Sequence, residues 1–174
     1  MIKVYLASRY SRRPEMAEYA GRLQALGFSI VSEWVFGNRS ILDSPGEAKK
    51  FVTADRQDIL HSDLIINFAE PKEVDYPRGS RHWEAGAAYE RGKVLYVVGR
   101  FGTALECAFH NLEGIVIFEN WEALYPHLEA LAIYEKAKDF MRSIAGNQLP
   151  EEPPCNGEIA DLDPYPDLKT IFTR

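Results

Sequence analysis

Short apolar runs alternate along this chain with stretches whose apolar positions recur every three or four residues, the periods of buried strands and one-sided helices respectively. Ile2 to Ala7 reads as a first strand. Met16, Tyr19, Ala20, Leu23 and Leu26 mark the inner face of a helix over about 12–26 that Gly27 ends. Phe28 to Trp34 comes next as a second strand, and 36–45 is a loop rich in turn formers. A helix over 46–61 leads into a third strand, Asp63 to Phe68. The prolines, glycine and charges of 69–81 form a loop, followed by a helix from about His82 to Arg91 and strands at Lys93 to Val98 and Gly114 to Phe118. Beyond Pro126 the spacing of Ala130, Ile133, Ala137, Phe140 and Ile144 predicts a last helix with those residues inward and Gly146 as its stop.

Strands alternating with helices predict an α/β fold: one doubly wound, five-stranded parallel sheet in a three-layer, flavodoxin-like or Rossmann-like sandwich. We expect this domain over 1–146 and an extended, proline-rich acidic tail over 147–174. Ligands of such sheets bind outside the carboxyl ends of the strands. The loops there are 8–13, 34–45, 69–81 and 99–111, so the candidate site residues are sought among them.

Two carboxylates stand out. Asp55 shares a helix face with Phe51, Val52 and Ile59, so it lies in an apolar stripe, where burial favours a protonated, proton-donating carboxyl. Asp58 lies on nearly the same face. The plainer alternative is a carboxylate that caps a backbone or pairs with an arginine. Glu84 falls in the expected first turn of its helix, where the positive end of the dipole keeps a carboxylate charged and nucleophilic. The small residues Ala85, Gly86, Ala87 and Ala88 let that helix approach the sheet closely. An ordinary dipole-favouring glutamate is the alternative there. A charged carboxylate beside a neutral one is what glycosidic cleavage requires, one to attack the anomeric carbon and one to protonate the leaving group.

Composition narrows the picture. The 174 residues are 46% apolar and 26% charged, as in an ordinary globular domain, and the net charge of −6 argues against a protein built to bind nucleic-acid polymers. Residues 150–174 hold six acids and two bases, so the tail carries −4 of that charge and the body is left near neutrality. No apolar run approaches the ~20 residues that cross a bilayer, so no membrane partner is expected. Cys107 and Cys155 stand in no metal-ligand spacing. A reducing, cytoplasmic setting is the simplest expectation, with no metal and no organic cofactor.

Three segments together resemble the nucleoside 2-deoxyribosyltransferase family, including relatives that hydrolyse deoxynucleoside monophosphates. The resemblance spans roughly 3–124. Lys3-Val4-Tyr5-Leu6-Ala7-Ser8 is similar to the family's opening strand, whose tyrosine orients the nucleophile, here Tyr5. The run from Asp55 through Asp58 to Ile65 matches a helix-to-strand element in which Asp55 would contact the departing base. Gly79-Ser80 through Glu84-Ala85-Gly86 to Gly92-Lys93-Val94 is similar to the nucleophile motif, with Glu84 in the catalytic place. The resemblance implies cleavage of a deoxyribosyl N-glycosidic bond, with Glu84, Asp55 and Tyr5 catalytic. It implies a small nucleoside or nucleotide as substrate and a homo-oligomer whose neighbouring subunit completes the site. This chain departs from the pattern at Arg78, where transferases usually carry an acid, and by one additional residue between Ser80 and Glu84.

Ser8-Arg9-Tyr10-Ser11-Arg12-Arg13 gathers three arginines and two serine hydroxyls at a helix start, where backbone N–H groups favour an anion and arginine matches phosphate oxygens. Ser8, Arg9 and Arg12 are therefore expected to bind substrate, with Arg78, Gly79, Ser80, Asp58 and Asn111 on or beside the other strand-end loops. A solvated basic patch facing the acidic tail is the alternative. Trp34 has the face to stack on a base, as does Phe36, though both could equally be core. Transfer to a second base, hydrolysis of a monophosphate, action on another nucleotide, and a non-catalytic nucleotide-binding module all remain open at this level.

Overall fold

The structure, a computed structural model, describes residues 1–37, 45–69, 79–99 and 108–144. Strands β1 (Lys3–Ala7), β2 (Ser29–Ile30), β3 (Leu64–Phe68), β4 (Val94–Val98) and β5 (Ile115–Phe118) form one parallel sheet in the order β2-β1-β3-β4-β5. The helices are α1 (Arg13–Leu26), α2 (Pro45–His61), α3 (Gly79–Tyr89) and α4 (Trp121–Ile144). This is the expected doubly wound α/β sandwich, and its strand order reverses between β1 and β3, the crevice where such sheets take ligands. Met1–Lys138 forms one compact unit. Asp139–Arg174 is a second, of which the end of α4 is described; the acidic tail expected over 147–174 lies outside the described residues. Among the described residues no helix is long and apolar enough to cross a membrane.

Side chains of neighbouring strands in register share a face, and contacts fix which face is which. Phe68 of β3 stacks on Tyr19 of α1 with centroids 5.4 Å apart, Tyr19 stacks on Trp121 of α4 at 4.1 Å, and Tyr96 of β4 bonds His127 of α4 at 2.9 Å. Phe68 and Tyr96 therefore project toward α1 and α4. The alternate residues project the other way, and the pairs Tyr5–Ile65, Ala7–Asn67 and Asn67–Val97 keep them in one row. Right-handed crossovers bring α2 and α3 over that second face, where they pack on each other and on β1.

α1 forms because Met16, Ala20 and Leu23 bury one stripe, Pro14 sits in the first turn, and Gly27 ends the helix at φ 101°, a left-handed conformation that costs glycine nothing. Gly99, just past β4, has φ +93°, and a side chain there would come within 3.1 Å of the Ala69 carbonyl oxygen. Only glycine lets these two strand ends approach so closely.

Two elements differ from the sequence reading. The second strand covers only Ser29–Ile30, and Glu33–Val35 is a 3-10 turn. The outer edge of β1 beyond that short strand is completed by side chains: Leu6 N–H donates to Ser32 Oγ at 3.2 Å, and the Trp34 indole N–H donates to the Leu6 carbonyl at 2.8 Å. An apolar run with a buried Trp34 and Val35 has the composition of a strand, and these side-chain bonds stand in for the ladder.

The last helix starts at Trp121, five residues before Pro126, because Asn120 caps it: the Ala123 N–H donates to Asn120 Oδ1 at 2.8 Å. Its inner face is rotated from the expected one. Trp121, Leu124, Leu128 and Ala132 are buried, whereas Ile133 is 68% and Phe140 64% exposed. Leu128→Ala should therefore lower unfolding free energy by ~2–5 kcal/mol. Ile133→Ala should change it by less than ~0.5 kcal/mol. Urea denaturation of both variants checks this, and the reverse order of effects would restore the face expected from the sequence.

Candidate active site

Tyr5 lies fully buried in the middle of β1 and projects onto the face that α2 and α3 cover. On α2, Asp55 stands one turn before Ile59, which is 2% exposed, and one turn after half-buried Phe51, so these three share the inward side of the helix. Asp55 itself is half-buried. Val52, expected in the same stripe, is 57% exposed, so the cover over Asp55 is thinner than the apolar spacing suggested.

Glu84 needs a correction of place. α3 begins at Gly79, three residues earlier than expected, so Glu84 is in the second turn and its first turn holds no acid. The helix-dipole stabilisation anticipated for Glu84 fades within the first turn and is correspondingly weaker. Position still favours it: Arg81, Ala85 and Ala88 face the sheet at 3%, 8% and 0% exposure, and half-buried Glu84 sits on the flank of that face. Arg81 anchors the helix start, donating from Nη1 to the Phe68 carbonyl at 2.9 Å. Thus Tyr5, Asp55 and Glu84 lie on three elements that pack together over one sheet face, at the switch point.

The residues expected to bind substrate divide. Asp58 Oδ2 accepts from the Glu33 N–H at 3.1 Å and so holds the 3-10 turn after β2. Trp34 is 5% exposed with its indole N–H on Leu6, so its ring is core and offers a base no open face; Phe36 is 54% exposed. Gly79 opens α3 and Ser80 is exposed in its first turn. Asn111 is exposed at the end of the 3-10 turn Ala108–Asn111. Arg78 lies outside the described residues.

In the loop after β1, Arg12 is held in a two-pronged bond by Glu15, at 2.8 and 2.7 Å, and lies 5.6 Å over the Phe68 ring on the α1–α4 face. Arg13 donates to the Gly37 carbonyl and lies over Tyr10. Arg9 is half-buried beside Ser8, whose Oγ is buried with no hydrogen-bond partner among the described residues.

Sequence reasoning passed over two residues. Asn67 is 2% exposed near the carboxyl end of β3, on the Tyr5 face, and among the described residues no donor reaches its Oδ1. The signal was a lone amide inside the apolar run Leu64-Ile65-Ile66-Asn67-Phe68. His110 stands with its ring 6.4 Å from that of His82. Burial pushes the His110 imidazole below its ordinary value, and the positive charges of His82 and Arg81 add to this, so His110 tends to be neutral at the strand ends.

No family model and no curated protein sequence matches the chain. Solved structures do. A 2-deoxyribosyltransferase from Bacillus psychrosaccharolyticus aligns with a TM-score of 0.55 at 19% identity, over 72% of this chain and 95% of its own. A CMP N-glycosidase from Clostridium botulinum gives 0.45 at 22% identity, over 74% of this chain and 97% of its own. A 2-desoxiribosyltransferase from Leishmania mexicana gives 0.47 at 17%, over 75% and 98%. The first of these likenesses establishes a shared fold across nearly the whole length of the transferase.

The Arg12–Glu15 pair has a pH signature of its own. The hydrogen bond and charge of Arg12, with a bond from the Tyr19 hydroxyl, hold the Glu15 carboxyl below its ordinary 4.5 despite partial burial. A carboxyl lower in the folded than in the unfolded state stabilises the fold above the unfolded value and loses that contribution as pH falls through the folded one. Glu15→Gln should therefore flatten the acid side of the stability profile, read by urea melts from pH 7 downward. A profile as steep as that of the parent protein would detach Glu15 from this role.

Proposed function

We propose that the protein cleaves the N-glycosidic bond of a 2′-deoxynucleoside or its 5′-monophosphate and passes the deoxyribosyl group to another base. One observation carries the reading: Tyr5, Asp55 and Glu84, matched by resemblance to an orienting tyrosine, a base-contacting acid and the nucleophile in that order, occur on elements packed together at the switch point. The shared fold with a 2-deoxyribosyltransferase supports it.

In this mechanism the Glu84 carboxylate attacks the anomeric carbon as the bond to the base breaks, and Asp55 gives a proton to the departing base nitrogen. Tyr5 donates its hydroxyl hydrogen bond to Glu84 and keeps the carboxylate in line. A second base, losing its proton to the Asp55 carboxylate as it attacks, then takes the sugar from the glycosyl ester and frees Glu84. Water in place of the base gives hydrolysis. A homo-oligomer in the cytoplasm completes the reading, and exposed apolar side chains beside the strand ends, Trp83 at 50% and Phe109 at 73%, support the oligomer.

The test is incubation of the full chain with each deoxynucleoside and monophosphate, with and without a free base, followed by chromatography. An exchanged nucleoside is expected; free base alone would move the reaction to hydrolysis, and no product from any substrate would overturn the reading. Glu84→Ala should lower turnover by on the order of 10⁴-fold or more while leaving the melting temperature close to that of the parent. A variant retaining activity would remove Glu84 from the mechanism.

Ser8 and Arg9 form the proposed phosphate contact, since the Arg12 fork is filled by Glu15. Loss of a charge-assisted bond is worth ~1.5–3 kcal/mol, so Arg9→Ala should weaken kcat/KM for monophosphates by roughly 10–100-fold. Nucleosides should be nearly unaffected, and equal losses on both would dismiss a phosphate role for this loop.

A further inference from the structure

Asn67 is a buried polar side chain in the central strand that the fold leaves unexplained. It sits in the central strand β3, paired laterally with Ala7 of β1 and Val97 of β4, both fully buried and without a side-chain polar group. Ile65 lies before it on the same face. The amide is 2% exposed, and among the described residues nothing donates to Oδ1. A buried carbonyl without a donor destabilises the free protein, and an aliphatic side chain of similar shape would be the better choice for folding alone. Such a residue is explained by a partner that arrives from outside.

The place limits what that partner is. Adjacent strands stand about 4.8 Å apart and two residues advance a strand by about 6.6 Å, so the Asn67 backbone lies roughly 8 Å from that of Tyr5, displaced toward the carboxyl edge. It is on the Tyr5 face, under α2 and α3. A phosphate only accepts at neutral pH and cannot satisfy a carbonyl oxygen. A hydroxyl both donates and accepts, and so satisfies the amide in either orientation of its oxygen and nitrogen.

We infer that Asn67 binds the free sugar hydroxyl of the substrate, the one at C3′ in a 2′-deoxynucleoside 5′-monophosphate, and so sets the depth at which the sugar enters the crevice. This rests on the proposed nucleoside chemistry, in which Tyr5 and Glu84 flank the neighbouring anomeric carbon. Asn67 is then a binding residue that fixes the sugar's register on the strand ends and takes no part in proton or glycosyl transfer.

The experiment compares two ligand sets by calorimetric titration: the 2′-deoxynucleoside 5′-monophosphates of the four common bases, and the same compounds lacking the 3′-hydroxyl. The full chain carries Glu84→Gln to block turnover, alone and combined with Asn67→Leu. Asn67→Leu should weaken the 3′-hydroxyl compounds about tenfold, leave their 3′-deoxy counterparts within about twofold, and raise the melting temperature of the ligand-free protein. Asn67→Ala repeats the comparison in case the larger side chain does not pack, with the same selective loss expected. Equal weakening of both sets, or no weakening of either, would overturn the assignment while leaving the glycosidic reading in place. Failure of all eight compounds to bind the parent would instead overturn this inference together with the monophosphate form of the reading, and is visible before any Asn67 variant is made.

Discussion

The pairing of β1 with β3 decides where everything else in this molecule can act. In a parallel sheet the side chains alternate with a strict period of two, so once Tyr5 stands in register with Ile65, and Ala7 with Asn67, one face of the sheet is committed to carry all four. A slip of one residue would either turn Tyr5 toward α1 and α4 or send Phe68 out of its stack with Tyr19. Both faces are therefore locked by the same register. One is fastened by aromatic contacts, which leaves the other to hold Tyr5 and Asn67 without threatening the alignment.

The aromatic face does more than supply apolar area. Tyr19, Phe68 and Trp121 form a continuous stack, Arg22 lies 5.3 Å above Trp121 and 4.0 Å above Tyr125, and Arg12 covers Phe68 while Glu15 holds its guanidinium. Charged groups here are fixed by rings and by each other. The Tyr19 hydroxyl, pushed up to about 12 chiefly by burial and then by its bond to Glu15, stays a donor throughout the neutral range. A basic loop that looks from its composition like a ready anion site is thus divided, with Arg12 serving the back of the sheet and Arg9 remaining beside Ser8 at the strand ends.

That division also shows what could be read from sequence and what could not. The alternation of apolar runs and helical spacings carried the sheet, its parallel sense and the strand-end loops, because burial on both faces leaves a strong pattern in each central strand. It failed where side chains replaced backbone partners: Trp34 and Ser32 complete the edge of β1, and no periodicity separates that arrangement from two further residues of strand. The rotated face of α4 had a different cause. Ile133, Phe140 and Ile144 are apolar at helical spacing and yet exposed, whereas Trp121 and Leu124 precede Pro126, where the helix was expected not to have begun. At the site, the elements bearing Tyr5, Asp55 and Glu84 were legible, and the turn of α3 that holds Glu84 was not. A three-residue shift of a helix start leaves the apolar pattern unchanged while it alters what the dipole can do.

Its place in the second turn of α3 takes Glu84 beyond most of the helix dipole's reach. The helix dipole acts over about one turn, so a carboxylate in the second depends on its immediate surroundings, and those are asymmetric. Arg81 precedes it by three residues with its guanidinium buried against the end of β3, and His82 follows Arg81 on the same turn, near His110. Arg81 places fixed positive charge beside that turn, and a buried guanidinium is poorly screened by salt. Burial first, and then the charges of His82 and Arg81, hold His110 toward its neutral form. One buried arginine, tied to the last residue of the central strand, therefore anchors the start of α3 and brings positive charge to the strand ends.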